Sequence, residues 1–318
     1  MKKPRLSSST FIVLLMVVVL GGTDAEGIEA ATRSFTVIAL RAPQLGPGNV
    51  GLFAETATPR TTGTPPGGTL FRQRWVTINF DRLRETLPTS VGGTQRAQTL
   101  ALNLFPDAQF VAVLSRVERT ATGYVWVGRL ANVQSSTVTL AVNATAMAGS
   151  VTAGGAAYTI RPADDSVHVV QEVNQSAFPP EAPPLVPNLP PAVVPGVPSR
   201  SAAADILDAP ESIASIDLLV VYTPAARIAQ GGTAAIEALI DLGVSETNQA
   251  YANSGVLQRI NLVHKREIAY TESGSMPTDL SRLQNTSDGY LDTVHALRDT
   301  YAADLVELIE NSPDYCGI

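Results

Sequence analysis

The strongest constraint on this chain is a run of proline. Phe178–Arg200 holds nine prolines. Proline fixes φ and donates no backbone hydrogen bond, so such a run forms neither a core helix nor a central strand. It reads as an extended linker, continued by small residues to about Pro210. The chain is thereby divided into a front part and a back part. Composition supports folded units on both sides: 45% hydrophobic and 16% charged residues are globular proportions.

The first 25 residues read as an address. Lys2, Lys3 and Arg5 precede an apolar stretch, Phe11–Leu20, and small residues follow up to Ala25. That is the pattern of a secretory signal peptide. The apolar stretch falls short of the roughly 20 residues a membrane helix needs. The expectation is a secreted or periplasmic chain with no stable membrane span after cleavage. A formal net charge of −7 gives no basic surface for phosphates, so no nucleic-acid partner is expected.

Residues 26–177 read as a β-rich unit. Alternating apolar and polar residues mark strands at 34–40, 73–80, 109–114, 123–130, 136–142, 157–162 and 168–173. Arg96–Leu104 reads as a short helix, and residues 43–69, rich in Gly, Pro and Thr, as a long loop. Ala153-Gly154-Gly155-Ala156 lacks the lysine of a phosphate loop and falls between strands.

After the linker the pattern changes. Strands are expected at 215–223, 258–270 and 304–309. Helices are expected from Thr233, as cap, to about Asn253, and over 278–303 with a break at 285–289 and Asp288 as a new cap. Such alternation suggests crossover helices on a mostly parallel sheet. The expected fold class is a β-rich pro-domain followed by an incomplete α/β domain with a mostly parallel sheet. The expected division is a signal at 1–25, a pro-region at 26–177, a linker at 178–213 and a half domain at 214–318.

Several stretches resemble a known family. Ile216–Pro224 (IDLLVVYTP), Thr247–Val256 (TNQAYANSGV) and Asp304–Ile309 (DLVELI) followed by Tyr315-Cys316-Gly317-Ile318 resemble bacterial zinc metallopeptidases of the metzincin clan, reprolysin-like branch. Leu102–Asp107 (LNLFPD) and Tyr124–Leu130 (YVWVGRL) are similar to the pro-region of those enzymes. The resemblance implies a secreted metalloendopeptidase precursor acting on peptide or protein substrates, with zinc as cofactor of the full-length enzyme. In that family a helix with H-E-x-x-H grips zinc through two histidines one turn apart, and the glutamate serves as general base. No histidine here (His168, His264, His295) is followed by Glu. The expectation is therefore a truncated precursor with no catalytic residue, no bound metal and no activity of its own.

The resemblance also implies roles for single residues. Cys316, the sole cysteine, corresponds to one that pairs with a cysteine further along. Gly317 and Ile318 correspond to the start of the edge strand that hydrogen-bonds the substrate backbone. Asp217 stands where some relatives carry a calcium ligand. The residues alone assign His295, beside Asp288, Asp292 and Asp299, to a solvated helix face, His264 to an exposed strand position and His168 to a structural role. A competing expectation is a non-catalytic secreted module, with the β-rich part binding or inhibiting a related peptidase in trans.

Overall fold

The computed structural model describes residues 51–56, 68–88, 98–164, 166–178 and 215–312. The expected signal peptide, the strand at 34–40 and the linker lie outside the described residues.

The front unit is one antiparallel sheet. Its strands are β1 (Phe53–Glu55), β2 (Leu70–Ile78), β3 (Thr99–Phe105), β4 (Ala108–Arg119), β5 (Gly123–Leu130), β6 (Thr137–Asn143), β7 (Ala146–Ala153), β8 (Ala156–Asp164) and β9 (Val167–Val173). Their order is β1-β2-β9-β8-β7-β6-β5-β4-β3. Short connections, such as Gly154-Gly155 at φ +57° and +95° between β7 and β8, permit only antiparallel neighbours. One face of each strand supplies the core, with Leu100, Leu102, Leu104, Trp126, Leu140, Met147 and Ile160 all buried. Helix α1 (Phe80–Glu85) inserts Leu83 into the same core.

The sheet nearly closes on itself, and one side chain joins its two ends. Asn103 of β3 accepts from Phe53 N at 2.9 Å and donates to Phe53 O at 2.7 Å, while Leu52 N donates to Ala101 O. An amide side chain thus pairs with the β1 backbone as a strand would. Gly51 lets the chain pass: a Cβ there would lie 2.1 Å from Asn103 Oδ1.

The back unit contains β10 (Ser215–Tyr222), α2 (Pro224–Ala229), α3 (Thr233–Asn253), β11 (Arg259–Glu267), α4 (Met276–Gln284), α5 (Asp292–Thr300) and β12 (Leu305–Ile309). The strands run β11-β10-β12. The two-residue period of β10 sends Leu218, Val220 and Tyr222 to one face, against Ile236 and Ile240 of α3. Leu219 and Val221 go to the other, against Leu291 and Val294. Asn248 of α3 brackets the β11 backbone, accepting from Ile260 N and donating to Ile260 O, each at 2.8 Å.

This architecture corrects the expected fold class. Nine of the twelve described strands form one antiparallel, nearly closed sheet, so the chain is not built on a mostly parallel sheet. Parallel pairing is confined to the three strands between Ser215 and Ile309. The physical reason is the abundance of hairpin turns, which outweighs a strand–helix alternation present only in the last third. Further differences are local. Arg96–Leu104 is not a helix: Thr99–Phe105 is β3, and Leu100, Leu102 and Leu104 alternate inward with period two. Part of the expected loop at 43–69 is β1. The cap of α3 is Gly232, at φ +114°, rather than Thr233. The cap of α5 is Leu291 rather than Asp288, whose backbone N–H donates to Asp292 Oδ1.

Candidate functional site

The polar groups of the back unit gather where the strands end. Thr223 follows β10, and its side chain caps α2 by accepting from Ala226 N at 2.9 Å. Its hydroxyl donates to Glu272 Oε1 at 2.5 Å, and the same oxygen accepts from Asn311 N at 2.8 Å. Glu272 therefore ties together the chain segments leaving all three strands.

Beside it lies a more buried cluster. Asp279 of α4 is 1% exposed and Glu310, after β12, is 6% exposed. The Tyr270 hydroxyl donates to Asp279 Oδ1, and Ser273 N lies 3.1 Å from both carboxylate oxygens. Arg282 donates to the Tyr270 hydroxyl at 3.0 Å, approaches Asp279 Oδ1 at 3.8 Å and stacks over the Tyr290 ring at 3.7 Å. Burial pushes the Asp279 carboxyl up, but hydrogen bonds led by those from Tyr270 and Ser273 outweigh this and hold it below its usual range. Burial, then the bond to Asp279, pushes Tyr270 up to about 12.

A second polar group fixes α3 to the sheet. Lys265 of β11 donates to Asp241 Oδ1 at 2.7 Å and Glu237 O at 3.1 Å, with the Lys265 and Asp241 side chains 6% and 2% exposed. Tyr222 donates to Glu237 Oε1 at 3.4 Å. Burial, then Glu237 and Glu267, pushes Tyr222 up to about 12. In both groups each donor meets an acceptor, so their chemistry is cross-linking of elements.

The residues singled out from sequence are dispersed. Cys316, Gly317 and Ile318 lie outside the described residues. Asp217 Oδ1 accepts from Asn261 Nδ2 at 2.8 Å, and its backbone exchanges hydrogen bonds with Asp304. It ties β10 to its two neighbours. His168 is 1% exposed and accepts from Met147 N through Nε2 at 3.1 Å; burial pushes it down to about 4, so the ring is neutral. His264 is not exposed: its ring stacks on Tyr301 at 4.1 Å, and burial, then Arg266, pushes its pKa down. His295 Nε2 lies 3.1 Å from Asn285 O.

Zinc favours histidine nitrogen and cysteine sulfur, with carboxylates as secondary ligands. The three histidines are each committed elsewhere, and among the described residues no three His, Cys, Asp or Glu side chains are grouped so as to hold a metal ion. These residues do not fit a catalytic zinc.

The pro-region stretches acquire structural roles. Asn103 joins the ends of the front sheet. Asp107 and Glu172 flank Arg72, which lies over Phe105 at 4.1 Å. Trp126 donates through Nε1 to Thr86 Oγ1 at 2.9 Å, just past α1. Gly128 leaves room for the Trp126 ring: a Cβ there would lie 2.6 Å from it. Sequence reasoning missed Asp279, Glu310 and Glu272. Their only signal was acidic residues beside strand ends, which also describes an ordinary surface.

Comparison with known proteins adds family context. Residues 212–317 match metallo-peptidase family M12B, reprolysin-like. A peptidyl-Asp metalloendopeptidase of Stenotrophomonas maltophilia is 37% identical over 183 residues, which cover 58% of this chain and 42% of that protein. One of Xanthomonas campestris pv. campestris is 36% identical over 170 residues, covering 54% and 40%. One of Pseudomonas fragi is 47% identical over 58 residues, covering 18% and 36%. The chain thus spans about two fifths of the length of the first two relatives. From residue 212 to residue 317 the chain is similar in sequence to the reprolysin-like metallo-peptidases of family M12B.

Proposed function

We propose that this chain is the precursor portion of a secreted zinc metalloendopeptidase. In it a signal at 1–25 and a pro-region at 26–177 precede a linker at 178–213 and the start of the peptidase domain at 214–318. The observation that carries this is the reprolysin-like match over residues 212–317. The relatives are peptidyl-Asp metalloendopeptidases, which suggests peptide bonds at aspartate as the substrate class. In the same proposal Gly317 and Ile318 pair with the substrate backbone, and Cys316 enters a disulfide.

Hydrolysis in this family draws on a zinc-bound water and the H-E-x-x-H glutamate. No such motif occurs in the 318 residues, so the chain by itself is proposed to be inactive. The test is zinc content and cleavage of an aspartate-containing peptide by the purified chain. No stoichiometric zinc and no cleavage are expected. Robust zinc-dependent proteolysis by these 318 residues would refute the proposal.

A second reading is a non-catalytic module acting in trans. It is favoured by the front unit's possession of its own continuous core, from Leu52 to Val170. Tight capture of an active relative by residues 51–178 would support it, and failure to bind would leave the precursor reading alone.

A further inference from the structure

We propose that His168 is an acid release point of the front sheet: its neutral ring bridges β9 to the start of β7 across β8, and a proton on Nε2 breaks the bridge and frees the β6–β7 hairpin. The geometry behind this is a hydrogen bond of fixed direction. Met147 N donates to His168 Nε2 at 3.1 Å, and His168 is 1% exposed. A backbone N–H can only donate, so Nε2 must hold a lone pair, and the neutral ring carries its proton on Nδ1. Imidazolium has no lone pair to offer, and its new N–H would face the N–H of Met147.

The bridge forms where the regular ladder ends. β8 lies between β7 and β9. Its pairing with β7 runs from Ala153 beside Ala156 to Gly149 beside Ile160 and stops there. The same register carried two residues further would set Met147 beside Pro162, which has no N–H to give. His168, paired with that proline, reaches past it to the β7 backbone. What it secures has little strand propensity of its own: Ala146-Met147-Ala148-Gly149 follows a turn in which Ala144 stands at φ 51°.

The ring has no counter-ion. It is flanked by Val76 of β2, Pro162 of β8, Met147 of β7 and, edge-on at 6.2 Å, the Phe80 ring of α1. The charged groups of these elements are engaged with others: Arg72 with Asp107 and Glu172, Arg74 with Glu55 and Asn103 O, Arg82 with Glu85, Arg84 with Asp81. Arg161 falls on the other face of β8 by strand alternation, and Asp164 stands in register with Val167. Tyr158 packs on Phe105 and Phe110. β6 and β7 contain no charged residue. Burial therefore pushes the ring down to about 4, offset only in part by the Ser166 backbone. The bridge is complete above 6.5, the ordinary histidine value, and is lost as pH falls toward about 4.

The experiment is imidazole nitrogen NMR and amide exchange on the full 318-residue chain. Above pH 6.5 His168 is expected to show a bare Nε2 and a protonated Nδ1. Opening at Met147, corrected for the intrinsic pH dependence of exchange, should rise by up to about tenfold per pH unit below that value and reach roughly a hundredfold near pH 4. His168→Gln offers an acceptor that does not titrate, and should keep Met147 protected with no such rise. His168→Phe removes the acceptor and should leave Met147 open to exchange at every pH. Leu102 of β3 reports opening of the whole unit and should stay better protected than Met147 in acid. The release point is refuted if Nε2 carries the proton at neutral pH, if Met147 in acid is as well protected as Leu102, or if His168→Gln shows the same rise as the wild type.

Discussion

Removing the Asn103 side chain should open the seam of the front sheet. Asn103→Ala deletes the bonds at 2.9 and 2.7 Å to Phe53 N and Phe53 O. Each was worth about 0.5–1.5 kcal/mol net, and stranding a partner adds roughly 1–3 kcal/mol where water cannot replace it. Phe53 is 4% exposed, so water reaches its peptide groups poorly. The sum is about 2–6 kcal/mol, a large part of the stability margin of a small domain. Urea unfolding followed by tryptophan fluorescence reports on this unit alone, because both tryptophans, Trp75 and Trp126, lie in it. With a urea slope of about 2 kcal/mol/M, the midpoint should fall by roughly 1–3 M. Asn103→Asp supplies a control: its carboxylate still accepts from Phe53 N but faces Phe53 O with negative charge. At neutral pH it should be as damaging as alanine, with partial recovery once the carboxyl is protonated and can donate. A loss below about 0.5 kcal/mol in Asn103→Ala, with unchanged amide exchange at Phe53, would show that the seam does not depend on this side chain.

Four other outcomes are expected. Lys265→Ala removes the cation beside the Asp241 carboxylate, 2% exposed, and should cost the back unit about 3–5 kcal/mol by thermal unfolding followed by circular dichroism; Lys265→Met with Asp241→Leu should recover much of it. Gly128→Ala places a methyl 2.4 Å from Val113 O and 2.6 Å from the Trp126 ring, so the front unit should lose about 1–3 kcal/mol and its tryptophan emission should shift. His168 is pushed from 6.5 down to about 4, so its contribution is present above pH 6.5 and is lost as pH falls toward 4. Acid urea titrations should show the front unit losing roughly 3 kcal/mol over that window, and His168→Phe should flatten the profile. Brief protease treatment should cut within residues 179–214 and leave a resistant fragment containing Leu70–Val173; survival of Ser215–Ile309 alone would contradict this.

Much of the strand content was legible because alternation is local. β5, with Tyr124, Val125, Trp126 and Val127, announces itself through aromatic and β-branched residues. β7 does not: Ala146-Met147-Ala148-Gly149-Ser150 has weak strand propensity, and only pairing with β6 and β8 makes it a strand. Thr99–Phe105 misled for a related reason, since leucine and alanine favour helices in isolation and the sheet overrides them. Sheet order was less accessible still. Nothing near Asn103 says that its amide will meet Phe53, fifty residues earlier. The polar cluster of the back unit was hidden the same way: Tyr270, Asp279 and Glu310 converge only once β12 is placed beside β10. The family resemblance was legible from IDLLVVYTP because a buried strand constrains its residues on both faces at once, and from DLVELI because that strand pairs with it in register.

Asn248 has a consequence for how the back sheet can grow. By engaging Ile260 N and O, it occupies the outward-facing hydrogen-bonding groups of β11 at that point. A newcomer strand would have to displace an amide already seated there. The opposite margin is β12, which pairs only with β10 among the described residues. Among the described residues such a sheet is a one-sided template: addition is obstructed at the β11 margin and unobstructed at the β12 margin.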